Sequence, residues 1–178
     1  MHRRADVRLT PAIAYVGLGS NLAHPRRQLA RALVRLAKLP HTRVLAVSRN
    51  FVSAPIGATD PQPDYVNAVA RLSTSLSPRA LLARLLAIER RHGRRRPAGT
   101  LPNAPRPLDL DLLLYGRVRV RLPSLVLPHP RMHERAFVLR PLIDVAPTTT
   151  IPGHGLARRL IRNVRGQRIA PTRAHVLH

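Results

Sequence analysis

Two aspartates, Asp109 and Asp111, stand one residue apart in the most apolar run of the chain, residues 107–115. Leucines alternate with them through Leu112, which is the period of a strand with one apolar face. Both carboxylates therefore point to one side, and Leu108, Leu110 and Leu112 point to the other. Carboxylates held side by side repel, and each raises the other's pKa unless a cation lies between them. A hard divalent ion such as Mg2+ resolves that conflict, because it takes one or two carboxylates together with substrate phosphates. The bland alternative is a solvated face on which both aspartates pair with arginines. The chain carries only 8 Asp plus Glu against 31 Lys plus Arg. Placing two of so few acids on one strand favours a site.

Immediately ahead of the pair, residues 93–106 form a loop without periodicity that bears Arg94, Arg95, Arg96 and Arg106. Guanidinium groups bind phosphate in bidentate fashion and stay charged at any relevant pH. Such a loop beside two carboxylates suits a nucleoside triphosphate with Mg2+; a basic surface loop is the alternative. Glu89 falls near the C-terminal end of an expected helix, where the dipole disfavours a carboxylate. The arginines at 90, 91, 94, 95 and 96 are its candidate partners. On an expected strand over 65–74, Tyr65, Asn67 and Val69 share one face, and Val66, Ala68, Ala70 and Leu72 the other. The ring offers a stacking surface, and the amide offers one acceptor and two donors to the edge of a planar heterocycle. A surface Tyr beside an exposed Asn is the plainer reading.

These residues need a frame. Residues 13–18 read as a strand closed by Gly19-Ser20-Asn21, a turn cluster whose glycine permits close backbone approach. Residues 25–39 read as an amphipathic helix, with Leu29, Leu33 and Leu36 inward and Arg26, Arg27, Arg31 and Arg35 outward, stopped by Pro40. Strands follow over 44–48 and 51–52, then a loop over 53–63. Ser77-Pro78 opens a second helix that runs to about 92 and closes at Gly93. Beyond the aspartates, Gly116 turns the chain into an edge strand over 117–122 with charges facing water. Pro128-His129-Pro130 makes a rigid loop, and residues 132–142 a helix with Arg135 and Phe137 near its start. Residues 153–178 hold a weak amphipathic helix and a basic tail.

The length of 178 residues fits one domain at the usual size of about 100–200 residues. Its divisions are a flexible basic leader over 1–11, a main folded body over 12–152 and a basic C-terminal segment over 153–178. Aromatics are only 3% and cysteine is absent, so the core is aliphatic and neither disulfides nor thiolate metal sites are available. No apolar run approaches the roughly 20 residues of a membrane span, and the start lacks the apolar segment of a secretory signal; the cytoplasm is the expected compartment. The formal charge of +23 attracts polyanions of every kind, but Lys38 is the only lysine and the arginines are spread along the whole chain. No phosphate-binding glycine loop and no nucleophile motif is present.

Taken in order, Gly19-Ser20-Asn21, Pro63-Asp64-Tyr65-Val66-Asn67, Glu89 with Gly93-Arg94-Arg95-Arg96, Arg106-Pro107-Leu108-Asp109-Leu110-Asp111, and Pro128-His129-Pro130-Arg131-Met132 with Arg135 and Phe137 resemble the 6-hydroxymethyl-7,8-dihydropterin pyrophosphokinases of folate biosynthesis. The resemblance covers about residues 12–152. It implies transfer of pyrophosphate from ATP to the hydroxymethyl group of the dihydropterin, with AMP released. It also implies an α+β fold, a single-domain ferredoxin-like α/β/α sandwich whose mostly antiparallel sheet has helices on both faces. By the same resemblance Asp109 and Asp111 hold two Mg2+ ions, and Arg94 and Arg96 close over the phosphates. Glu89, Arg106, His129 and Arg135 join them on the ATP side. Tyr65 and Phe137 sandwich the pterin, Asn67 reads its edge, and Ser53 and Pro55 complete its pocket. ATP and the dihydropterin are the partners implied, for a monomer with no specific nucleic acid and no membrane.

The chain departs from the family pattern in places. It has no tryptophan where many members carry one in the loop ahead of Arg106; Leu101, Asn103 or Ala104 stands there instead. Leu86 replaces a common Gln, Pro130 a Tyr and Val126 a Thr. These bear on loop closure and ATP affinity rather than on the carboxylates. The alternatives are a catalytically impaired paralogue and a basic nucleic-acid-binding module, the latter opposed by the aspartate pair and by too few aromatics for base stacking.

Overall fold

Six antiparallel strands carry the site. β1 (Ala12–Ser20) lies between β4 (Tyr65–Thr74) and β5 (Asp109–Tyr115). The sheet continues from β4 through β3 (Phe51–Ser53) to β10 (Ile169–Pro171), while β2 (Thr42–Val47) pairs with the other half of β4. The structure is a computed structural model that describes residues 10–57, 60–94 and 104–172. Arg96 and the loop positions Leu101 and Asn103 lie outside the described residues, as do residues 1–9 of the expected leader.

Helices cover both faces. α1 (Pro25–Ala37) and α2 (Pro78–Arg91) lay Leu29, Leu36, Leu81 and Leu85 on Val16, Leu72, Leu110 and Leu112. α3 (Ala136–Val145) and α4 (Ala157–Leu160) close the other face, where Leu139, Leu142 and Ala157 meet Tyr15, Val69 and Leu113. Each leucine so buried contributes about 1.5–3 kcal/mol, so the aliphatic core suffices without aromatics. The result is the expected α/β/α sandwich on an antiparallel sheet. No helix among the described residues is long and apolar enough to cross a membrane.

Local chemistry sets the element ends. Ser77 caps α2, its hydroxyl accepting from the Ala80 N–H at 3.2 Å, with Pro78 in the first turn. At the other end Gly93 takes φ +82°. Its N–H reaches the Arg90 carbonyl at 3.0 Å, and the Arg94 N–H returns to the Glu89 carbonyl at 3.1 Å. That pair of bonds is a Schellman motif, and it folds Arg94 back over the helix it has just left.

Four expectations are corrected by the structure. β1 takes Gly19 and Ser20 into the sheet, because both pair with β4, opposite Asn67 and Val66. The strand expected over 117–122 is shorter and lies off the main sheet. Gly116, at φ +52°, turns the chain away, and only β6 (Val120–Leu122) remains, paired with β7 (Leu125–Leu127) as a separate hairpin. The helix expected over 132–142 is two elements. A 3-10 turn over Met132–Glu134 ends at Arg135, whose extended backbone (φ −121°, ψ 112°) precedes α3. Within the C-terminal segment, where only a weak helix and a tail were expected, residues 169–171 form β10, which joins the sheet along β3. Three residues are too few to show a strand period in the sequence.

Candidate active site

The strand register builds the floor. Asn67, Gly19 and Asp109 form one row across β4, β1 and β5, and Val69, Gly17 and Asp111 form the next. In both rows β1 contributes a glycine, so the strip between the amide and the carboxylates is bare backbone. A Cβ on Gly19 would lie 3.5 Å from the Asn67 Oδ1 and 3.9 Å from the Asp109 Cβ. One residue beyond Asp111 the alternation is used up. The β1–β5 register shifts so that Val16 faces Leu112 and Tyr15 faces Leu114, and the bulge sends Leu113 and Leu114 together into the α3-side core.

Above the floor opens a cleft of about 300 Å3. One wall carries Tyr65 and Asn67 from β4, with Ser53 and Pro55 from the end of β3. The facing wall carries His129, Arg135 and Phe137, together with Arg131, which the sequence reading missed. Arg94, Arg106, Asp109 and Asp111 close one end. Of the expected site residues, all the described ones line this cleft except Glu89, which lies beneath it at 2% exposure.

Glu89 organises that end from below. Its carboxylate accepts from the Leu110 N–H at 2.7 Å and pairs with the Arg94 guanidinium, which also holds Asp109. Arg106 binds the second Asp109 oxygen at 3.0 Å. Asn21 latches the adjoining loops, accepting from the Arg106 N–H at 3.0 Å and donating to the Pro63 carbonyl at 3.2 Å. Asn67 donates to the Ser53 hydroxyl at 3.0 Å, which leaves its carbonyl oxygen toward Gly19. On the facing wall the Arg135 guanidinium lies 5.5 Å from the centre of the Phe137 ring. The cis Leu127-Pro128 peptide leads into His129, whose N–H is tied to the Leu113 carbonyl at 2.9 Å.

The two aspartates differ in support. Burial pushes the Asp109 carboxyl up, but Arg106 and then Arg94 outweigh it and hold it below the usual range. Asp111 has no such partner among the described residues: burial and the neighbouring Asp109 charge push it up, against weaker help from Arg135. His129 stands 3.9 Å from an Asp111 oxygen, and burial, with Arg135 beside it, lowers its pKa to about 4. It is therefore a neutral imidazole near pH 7 and does not neutralise Asp111. Glu89 is raised chiefly by burial. Two hard carboxylates on one face, one of them uncompensated, form a donor set that fits Mg2+.

An acid pair among arginines at one end of a cleft lined by Tyr65 and Phe137 is equipment for a phosphorylated ligand next to a flat one. Comparison with known proteins gives this class its family. Residues 15–147 match the family described as 7,8-dihydro-6-hydroxymethylpterin-pyrophosphokinase. The 2-amino-4-hydroxy-6-hydroxymethyldihydropteridine pyrophosphokinase of Pseudomonas aeruginosa is 51% identical over 138 residues, covering 78% of this chain and 83% of the relative. That of Haemophilus influenzae is 42% identical over 149 residues, covering 84% and 91%. Among solved structures, Plasmodium falciparum HPPK-DHPS with pterin and p-hydroxybenzoate superposes with a TM-score of 0.65 at 13% identity, over 85% of this chain and 43% of that one. This likeness speaks for the fold alone, and the chain spans under half the length of that protein. The chain belongs to the 7,8-dihydro-6-hydroxymethylpterin-pyrophosphokinase family.

Proposed function

We propose that this chain transfers the pyrophosphoryl group of ATP to the hydroxymethyl oxygen of 6-hydroxymethyl-7,8-dihydropterin, in folate biosynthesis. The pterin oxygen bonds to the β-phosphorus, the bond from that phosphorus to the α,β-bridging oxygen breaks, and AMP leaves. The hydroxyl proton is released. No protein nucleophile is needed for this displacement, because positioning and charge neutralisation supply most of the rate.

The observation that carries the reading is the row Asn67–Gly19–Asp109. Two strand spacings put the backbones of Asn67 and Asp109 roughly 10 Å apart, with the amide and the carboxylate on either side of a bare floor. A ring held by the amide can thus present its hydroxymethyl arm toward phosphates held at the carboxylate end. In this reading Tyr65 and Phe137 stack on the pterin, Asn67 reads its edge, and Ser53 and Pro55 shape the pocket end. Arg94, Arg106, His129 and Arg135 contact the triphosphate, joined by Arg96. Glu89 serves the nucleotide side through Arg94. Asp109 and Asp111 hold Mg2+, two ions in the full complex, which supply charge neutralisation along the triphosphate. The setting is a cytoplasmic monomer with no nucleic-acid partner.

Nucleotide product analysis tests this. Purified protein with ATP, Mg2+ and the hydroxymethyl dihydropterin is expected to release AMP. Omitting the pterin, or removing the metal with a chelator, is expected to abolish it. ADP as the product, or AMP formed without pterin, would sink the assignment.

A further inference from the structure

The two aromatic walls of the cleft belong to separate parts of the chain. Tyr65 begins β4, and Phe137 stands in the first turn of α3. One short segment touches both from outside. Gln167 and Arg168, the two residues ahead of β10, reach in opposite directions.

Gln167 brackets the backbone of Arg135. Its Oε1 accepts from the Ala136 N–H at 2.8 Å, and its Nε2 donates to the Glu134 carbonyl at 2.7 Å. Arg135 gives α3 no side-chain cap, so Gln167 satisfies a first-turn donor from outside the helix. The two bonds also fix the amide's orientation, since a flipped amide would set donor against donor. Arg168 forks onto Asp64 at 2.7 and 3.0 Å, and Asp64 immediately precedes Tyr65. β10 then runs along β3, with Ile169 opposite Ser53, and the Thr172 N–H reaches the Asn50 carbonyl at 2.8 Å. The segment is a strut from the α3 wall to the β4 wall.

We propose that Gln167 and Arg168 are positioning residues that set the gap between Phe137 and Tyr65 to the thickness of one planar ring. Both lie beyond the matched family region, which ends at residue 147. The proposal rests on the ring-binding reading above. It assigns the adjustment of that slot to a stretch of chain that contributes no wall of its own.

The test is calorimetric titration of the full chain with 6-hydroxymethylpterin, with melting temperature recorded beside each affinity. The variants are Gln167→Ala, Arg168→Asp, Asp64→Arg and the double reversal Arg168→Asp with Asp64→Arg. Arg165→Ala, exposed in the same segment, is the control. Gln167→Ala and each single reversal are expected to weaken pterin binding about tenfold, the equivalent of one or two lost hydrogen bonds. The double reversal recovers most of the loss, and Arg165→Ala binds like the parent. If a reversal does not fold, Arg168→Lys against Arg168→Gln makes the same comparison, with Lys retaining the tighter binding. A merely structural strut would lower the melting temperature without a ring-specific loss. Variants that bind pterin within about twofold of the parent, or a double reversal no better than the singles, would overturn the proposal. A parent that binds no pterin would overturn the functional reading, and this one with it.

Discussion

Asp111 is the carboxylate most exposed to the consequences of its own charge. Asp109 is held by Arg94 and Arg106, whereas among the described residues the side chain paired with Asp111 is a neutral histidine 3.9 Å away. Asp111→Asn removes a repulsion and leaves the packing volume unchanged. Pyrophosphoryl transfer is therefore expected to fall by about 100-fold or more, while the melting temperature stays level or rises. AMP release and thermal unfolding of the same preparation check both halves. Near-normal turnover would remove the metal assignment. A glycine is the counterpart of this residue. Gly19 does chemistry by absence, since a larger side chain there would stand between the Asn67 amide and Asp109, whereas one on Gly17 would press on Leu113.

Elements decide where those residues point. The Schellman turn at Gly93 returns Arg94 to Glu89, and the same carboxylate takes the Leu110 N–H in β5. One helix end thus aligns an arginine and an aspartate strand together. α3 is fixed by a comparable device at its far end, where the Arg49 side chain and N–H hold Asp144 at 2.7–3.1 Å in their shortest contacts. The side-chain bonds from Arg49 outweigh partial burial and depress the Asp144 pKa. A depressed carboxyl contributes stability above the ordinary carboxylate range and loses it as pH falls through the folded value. Asp144→Asn is expected to cost up to about 1 kcal/mol near pH 7 and to converge with the parent in acid. Urea titrations at the two pH values measure the difference.

Much of this was legible in residue order and much was not. Alternation placed Tyr65 and Asn67 on one face and both aspartates on another single face, and Gly93 announced the end of α2. The register that joins the two faces was invisible, because pairing partners are not encoded in period. For the same reason Gly19 gave only a turn signal, and Gly17 read as one more strand position. Arg135 looked helical, since an extended residue between two helical turns leaves no periodic trace. Gln167 and Arg168 read as part of a basic tail, because their meaning lies in partners over 30 and 100 positions away.

The whole molecule adds a field. A formal charge of +23 draws an anionic triphosphate from beyond the cleft, and salt screens that attraction over about 10 Å at 0.1 M. The apparent kcat/KM for ATP is expected to fall steeply as ionic strength rises, while that for the uncharged pterin changes little. Parallel salt series with each substrate held limiting decide this; equal slopes would assign the charge no role in encounter.

The strand that closes the sheet also has a place in time. A ribosome delivers β10 after every other described strand, so β3 shows an unpaired edge through most of synthesis. An open edge invites pairing with a neighbouring nascent chain. The ring slot lacks its strut over the same interval. Solubility during translation and readiness to bind substrate are thus gated by the arrival of the same few residues.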